Sequence, residues 1–487
     1  MTMPAIDKGA IVEHEFYGRG TVIELRHGGY SAYVSFGRFA CPVPVRQLKV
    51  VSGGLQIVDG TPKPQKEAKE KPLLERLLEM RELQKKKDSV SPVYRPIKTQ
   101  AFDWMMDIES LRLGLVPLRH IETWTVGRED EIAQIKRFLI DESEGAMLIE
   151  GGYGSGKTHL LTYLAYKGES FGYATMFADI DSSRKSAAFP KRLFNALAKS
   201  FRAKVGSKIL NLQEFLIECA NRDKQNILAK HFAFGPLIEK IRNNNVSQAD
   251  WNWLYGEDSQ SPKPPGMPNL HDFTTCANLY CNMLSGIGVA CNNLFGLRGL
   301  LVIIDEGEVS QVSEYSYHLR RAMNLFKGLV LTANDDPSLE EKVVKTEECS
   351  RGALSRLVYS GHRPIPYFFS ASSERQSSYL KVVMGFTPSS CVEVVQGFRA
   401  SMREVKLRLL PQQAIRDWFK RLCDRFEQVY GVELDEAMRS NVLRILLSRM
   451  DRPSSSDAIR DFVQSAVTAL DLIRFYPDLS LKELLAE

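Results

Sequence analysis

The residues best placed to do chemistry are Gly151-Gly-Tyr-Gly-Ser-Gly-Lys-Thr158. Gly151, Gly154 and Gly156 can take backbone angles closed to other residues, so successive N–H groups along Gly152, Tyr153, Gly154, Ser155 and Gly156 can turn inward around a polyphosphate. Lys157 is then placed to reach the β- and γ-phosphates, Thr158 to put its hydroxyl on Mg²⁺, and His159 follows in the same first helical turn. A second fixed point is Asp305-Glu306, which ends the apolar run Leu300-Leu-Val-Ile-Ile304. Asp305 would hold Mg²⁺ through water, and Glu306 would polarise an attacking water, a task for a carboxylate that stays ionised beside the metal. Together they imply ATP and Mg²⁺ as ligands and phosphate-bond hydrolysis as the reaction. Glu308, nearby, has no assignable role.

The elements that must position these groups follow from pattern. Ala146-Met-Leu-Ile149 before the glycine loop and Leu160-Leu-Thr-Tyr-Leu-Ala165 after it give strand, loop, helix, with the helix N-terminus adding positive potential at the phosphates. Gly172–Asp179 reads as a second strand and Phe189–Ala198 as a helix with Pro190 in its first turn. Residues 299–306 read as a buried parallel strand whose carboxylates lie at its C-terminal end, where open α/β sheets bind ligands. Residues 205–299 are helical in pattern, interrupted by the exposed loop Ser259-Gln-Ser-Pro-Lys-Pro-Pro-Gly266, and form a large insert offering partner-specific surface. Tyr315 to about Ala333 is a helix carrying Arg320 and Arg321. Ile365-Pro-Tyr-Phe-Phe-Ser-Ala-Ser372 is the next strand candidate, with Ser370 or Ser372 at its end. From Leu409 the pattern turns helical, over 412–430, 434–447 and 456–475, and a serine cluster caps the last helix just before Arg460. The expected class is α/β: a parallel sheet, a helical insert and a C-terminal helical lid. The domains are residues 1–52, a β-module; 53–100, a linker; 101–405, the core; and 406–487, the lid.

Composition fits this. Of 487 residues 44% are hydrophobic and 25% charged, as in water-soluble globular proteins, and no apolar run is long enough to span a membrane. Met1–Lys8 is no signal peptide. The eight cysteines run from Cys41 to Cys423; Cys276, Cys281 and Cys291 match no zinc spacing, so buried or free thiols in a reducing cytoplasm are expected. The net charge of +5 is equalled by residues 61–100 alone, with eleven Lys/Arg against six Asp/Glu, a basic tether suited to nucleic acid or to plain solvation. Within it, leucines 73, 74, 77, 78 and 83 with Met80 outline an amphipathic helix that must dock on this protein or on a neighbour. Residues 9–52 hold short β-branched segments at 11–12, 20–25, 31–36 and 45–50, separated by glycines.

Several stretches carry resemblances. Gly9-Ala-Ile-Val-Glu-His-Glu-Phe-Tyr-Gly-Arg-Gly-Thr-Val22 resembles the opening of the SH3/Tudor-like modules of CarD-type transcription factors and UvrD-type helicases, which bind RNA polymerase or nucleic-acid machinery. Thr125-Val-Gly-Arg-Glu129 is similar to the box ahead of the P-loop in AAA+ ATPases of the origin-recognition and STAND type. That likeness places Gly127 and Arg128 beside the nucleotide, with Arg128 on the nucleotide or on a neighbouring loop. It also implies that Ser370 or Ser372 is a sensor-1 residue near the γ-phosphate, that Arg460 is a sensor-2 arginine, and that Arg351, Arg356 or Arg363 reaches a neighbouring subunit's nucleotide. Trp251-Asn-Trp-Leu-Tyr-Gly-Glu257, Gly296-Leu-Arg-Gly-Leu-Leu-Val-Ile-Ile-Asp-Glu-Gly-Glu308 and Gly152-Tyr-Gly-Ser-Gly-Lys-Thr-His159 resemble the BREX-type ATP-binding proteins (BrxD-like), over about residues 120–475.

The resemblance implies a cytoplasmic, oligomeric AAA+-like ATPase in bacterial phage defence. It would work as a switch or loader with DNA, a helicase-like protein or another defence protein as partner. A STAND-like sensor of a phage component, or a transposition or helicase-loading regulator, would use the same motifs. DNA-stimulated turnover with a steep salt dependence separates the DNA-linked readings from the sensor.

Overall fold

A computed structural model describes the strands between residues 11 and 52, and then 99–180, 187–256, 263–272, 276–307, 316–340, 357, 359, 365–371, 377–388, 397–450 and 458–477. The amphipathic segment at 72–87, Glu308, Arg351, Arg356, Arg363 and Ser372 lie outside the described residues, as does the Arg320 side chain. The chain divides into two compact units, residues 1–95 and 96–487.

Among the described residues the first unit holds five antiparallel strands, β1 (Ile11–His14), β2 (Gly18–Arg26), β3 (Ser31–Ser35), β4 (Ala40–Pro44) and β5 (Leu48–Ser52), in the order β4-β3-β2-β1-β5. β4, which periodicity did not disclose, carries Pro42 and Pro44. It is an edge strand, where a missing N–H costs no ladder bond.

The second unit is built on a parallel sheet of β6 (Ala146–Glu150), β7 (Tyr173–Asp179), β10 (Gly299–Asp305), β11 (Leu380–Phe386) and β12 (Arg403–Lys406), ordered β12-β6-β11-β10-β7. Counted in sequence along this sheet alone, that order is 5-1-4-3-2. A separate hairpin, β8 (Ala203–Val205) with β9 (Lys208–Leu210), lies outside it. β6, β10 and β11 are buried along their whole lengths, as parallel strands covered on both faces must be.

Alternate strand residues serve the two faces. Met147, Ile149, Leu301, Ile303 and Val383 pack with α3 (Glu129–Ile140) and α4 (Lys157–Ser170), through Ile135, Phe138, Leu161 and Leu164. Ala146, Leu148, Val302, Ile304 and Met384 pack on the other face with α5 (Pro190–Ser200), α9 (Ala277–Phe295) and α10 (Ser316–Ala333). The region expected as an insert is thus largely interior. Between α5 and α9 lie α6 (Leu212–Arg222), α7 (Phe234–Arg242) and α8 (Gln248–Tyr255), and α9 is buried from Ala277 to Cys291. A helix apolar on every side is a core helix. Cys281 and Cys291 are buried thiols there, and burial pushes both well up.

Over the described residues 365–371 the expected strand does not form. That segment is irregular and is bonded to α9: Asn282 Nδ2 donates to the Pro366 and Phe368 carbonyls, and the Phe369 N–H donates to Ser285 Oγ. The fourth strand is Leu380–Phe386 instead. Its charged residue, Lys381, is buried because Nζ donates to the carbonyls of Asp141 and Glu144 at 2.7 and 2.5 Å and lies over the Phe138 ring.

The helical layer comprises α11 (Gln412–Tyr430), α12 (Glu436–Met450) and α13 (Ala458–Phe475), joined by a helix from the far end of the unit, α1 (Thr99–Arg112). Trp104, Ile108 and Leu111 of α1, and Trp124 at the end of the short α2 (Ile121–Trp124), share one core with Trp418, Phe419, Leu422 and Phe462. Arg112 clamps Asp471 with two hydrogen bonds of 2.9 and 3.0 Å.

Candidate nucleotide site

The glycine loop leaves the end of β6 and enters α4. Gly154 and Gly156 have φ of +68° and +89°, angles that only glycine takes without strain. Gly151 leaves no room for a side chain, since an added Cβ would lie 2.4 Å from Ser155 Oγ. Tyr153 is exposed on the loop. Lys157 is buried at the mouth of α4; its Nζ donates to the Gly151 carbonyl at 2.8 Å and to Thr387 Oγ1 at 3.1 Å. Thr387 stands one residue beyond β11. A polar group at the end of the fourth strand therefore does meet the loop lysine, but it is Thr387, and Ser370 lies in the irregular segment far upstream of that strand end. Lys381 within a buried strand is what hid this strand from periodicity.

The second motif closes on the first. Thr158 Oγ1 donates to Asp305 Oδ2 at 2.6 Å, and the Glu306 N–H donates to Asp305 Oδ1 at 2.8 Å. Asp305 is buried and Glu306 exposed at the sheet edge with φ of +54°, a left-handed conformation that is strained for glutamate. No group of three or more His, Cys, Asp or Glu side chains able to hold a metal occurs among the described residues. Thr158 and Asp305 nevertheless offer two hard oxygens side by side, which fits Mg²⁺, an ion that binds one or two protein oxygens and completes its shell with water and phosphate.

Gly127 and Arg128 act at the junction with the helical layer. Gly127 has φ of +61°, and a Cβ there would come within 2.5 Å of the Ala414 Cβ on α11. Arg128 is buried; its guanidinium donates to the Ser155 carbonyl at 2.5 Å, the Arg408 carbonyl at 2.7 Å and Glu131 Oε1 at 3.0 Å. Of the two places expected for Arg128, the structure gives the neighbouring loop. His159 Nε2 lies 2.8 Å from Thr125 Oγ1, and burial, with the Arg128 charge nearby, lowers its pKa to about 4.

These groups line one cleft of about 490 Å³ between the glycine loop and the helical layer. Gly152 through His159, Thr125, Arg128, Asp305 and Glu306 face it from the sheet side, and Ile415, Trp418, Phe462 and Arg460 from the helices. Arg460, exposed in the first turns of α13, stands on the opposite wall from Lys157.

A 5-1-4-3-2 parallel sheet with a glycine loop after its first strand, acids after its third and a helical lid over the cleft is an AAA+-like P-loop fold. Residues 105–207 match the family described as BREX system ATP-binding protein BrxC/D, and over that span the resemblance seen in the motifs holds. No curated relative matches the chain. Among solved structures, that of Drosophila ORC bound to DNA is similar over 84% of this chain and 72% of that one, at 13% identity and a TM-score of 0.33. The fold class rests on strand order and site, not on that overlay. No helix among the described residues is long and apolar enough to cross a membrane.

Proposed function

We propose that this chain binds Mg·ATP in the cleft and hydrolyses it to ADP and phosphate, as a nucleotide-driven switch or loader in a BREX-like defence system. The observation that carries the reading is the 2.6 Å contact between Thr158 and Asp305, which joins two motifs 147 residues apart into one site. The family match, which names ATP-binding proteins, supports the ligand.

In this mechanism the loop N–H groups hold the phosphates, and Lys157 exchanges its bond to the Gly151 carbonyl for the β- and γ-phosphates. Thr158 and Asp305 would hold Mg²⁺, which neutralises charge on the phosphates when bound. Glu306 orients the attacking water and takes its proton. Thr387, bonded to Lys157, replaces Ser370 in the sensor-1 role, and Arg460 reports the γ-phosphate to the lid. Electrostatic stabilisation and positioning are the main resources of such a site.

Lys157→Ala is expected to abolish nucleotide binding, and Glu306→Gln to bind ATP and retain it unhydrolysed. Equal ATP affinity for wild type and Lys157→Ala would contradict the reading. The basic segment 61–100, and the likeness of residues 9–22 to SH3/Tudor-like modules, support DNA or a DNA-bound protein as partner. Assembly into a homo-oligomer, with an arginine from one subunit at the next one's nucleotide, belongs to the same proposal. ATP turnover that rises with duplex DNA and falls steeply with salt is expected; turnover indifferent to DNA would favour a sensor of a phage protein.

A further inference from the structure

The part of the cleft beyond the glycine loop is walled largely by apolar side chains, among them Val116, Val126, Leu410, Ile415 and Phe462. Such a slot accepts a flat heterocycle without choosing between heterocycles; the choice needs a polar group of defined hydrogen-bonding sense. Arg128 is already committed to two carbonyls and to Glu131. A polar pair that lines the cleft beside Val126 is Thr125 with His159.

The protons of this pair can be placed by elimination. Thr125 Oγ1 lies 2.7 Å from the Ile121 carbonyl, which can only accept, so the single hydroxyl proton goes there. The 2.8 Å contact between Thr125 Oγ1 and His159 Nε2 then needs a proton from the ring, so Nε2 carries it. In the neutral imidazole Nδ1 is therefore a bare acceptor. Among the described residues Nδ1 has no hydrogen-bond partner, and His159 lines the cleft.

We propose that His159 reads the base of the bound nucleotide, its Nδ1 accepting a hydrogen bond from the 6-amino group of adenine, with Thr125 as the positioning residue that fixes the tautomer. A 6-oxo purine would turn an oxygen lone pair toward the Nδ1 lone pair and leave both unpaired. The inference rests on the reading of the cleft as a triphosphate site and adds the base specificity that the loop and acids cannot supply.

The test is competitive binding of ATP, dATP and ITP to the full chain in Mg²⁺. Wild type is expected to prefer ATP over ITP by roughly ten- to a hundredfold, the range of one unmade buried hydrogen bond. His159→Ala should bring the ratio to within about threefold, and Thr125→Val should lower it while leaving the side chain in place. His159→Asn, whose amide oxygen can occupy the place of Nδ1, should recover part of it. A histidine-labelled sample should show the His159 ring protonated on Nε2 in the absence of nucleotide. Equal affinity for ATP and ITP, a proton on Nδ1, or a loss seen with dATP but not with ITP, which would assign the acceptor to the ribose, would each overturn the proposal. Failure to bind any triphosphate would instead overturn the reading of the cleft, and this inference with it.

Discussion

Gly385 is a sharp test of how tightly the Asp305 carboxylate is held. It lies in β11, paired in register with Ile149 of β6, and a methyl added there would stand 2.7 Å from Leu161 Cδ1 and 2.9 Å from Asp305 Oδ1. Ordinary contact needs about 3.5–4.0 Å, so Gly385→Ala must create roughly 0.6–1.3 Å of room on either side. The strand itself has little freedom, being hydrogen-bonded on both edges and buried along its whole length. The displacement therefore falls on Leu161 and on Asp305, which already holds Thr158 and the Glu306 N–H. Overpacking of this kind costs about 1–3 kcal/mol of stability. Losing one hydrogen bond to a charged group costs about 1.5–3 kcal/mol more at the site, a ten- to hundredfold fall in turnover at fixed Mg²⁺. Urea denaturation and Mg²⁺-dependent ATP turnover should be measured beside Gly397→Ala, whose added Cβ meets nothing within 4 Å. A destabilised Gly385→Ala with undiminished turnover would mean that Leu161 absorbs the strain, and the claim that Asp305 is fixed by its surroundings would be wrong.

Arg128→Lys should keep the charge and lose the span, because one ammonium cannot reach the Ser155 and Arg408 carbonyls together in the way a guanidinium fork does. Faster amide exchange at residues 407–410, with ATP affinity reduced less than by Lys157→Ala, is the expected result, and unchanged exchange would refute it. Arg112→Leu removes a half-buried clamp on Asp471, whose carboxyl is held above the usual range by burial against the pull of Arg112. A loss of about 1–2 kcal/mol in denaturant unfolding is expected, and Asp471→Asn in the same background should add little. Burial lowers the Lys381 pKa to about 8 from an ordinary 10.5. The unfolded chain therefore binds more protons than the folded one between those values, and this group's contribution to stability rises with pH across that window. Lys381→Met should abolish that rise in a comparison of unfolding free energies at pH 7.5 and 9.5; an identical pH slope would refute it.

The candidate site was legible in the sequence because its parts are local. The glycine loop and the Asp305-Glu306 pair each sit in a short stretch whose neighbours declare strand or helix, and their meeting follows from the parallel sheet. What was not legible depended on partners distant in the chain. Lys381 reads as a surface residue until the Asp141 and Glu144 carbonyls and the Phe138 ring are known to enclose it, so β11 does not show as a strand in the sequence. The run Ile365–Phe369 reads as a strand because it is apolar, but its carbonyls and N–H groups are taken by Asn282 and Ser285 of α9 rather than by a sheet. The apolar face of α1 gives no sign that its partners are Trp418 and Phe462, more than 300 residues on.

That placement of α1 changes what can move. A lid made only of residues after 406 would hinge at one crossing, near Leu407–Pro411. Because α1 and Trp124 are built into the same helical core, the layer is tied to the sheet by two crossings, residues 113–128 and 407–411. Arg128 bonds across them, holding Arg408 of the second crossing and Ser155 of the glycine loop with one side chain, and Gly127 lies against Ala414 beside it. A displacement of the glycine loop would thus have a direct mechanical route to both crossings at once. Helix α1 is also the first described element after residue 95, where the first compact unit ends. In chain order the helical layer, entered through α1, therefore comes before the sheet, whose first strand begins at Ala146.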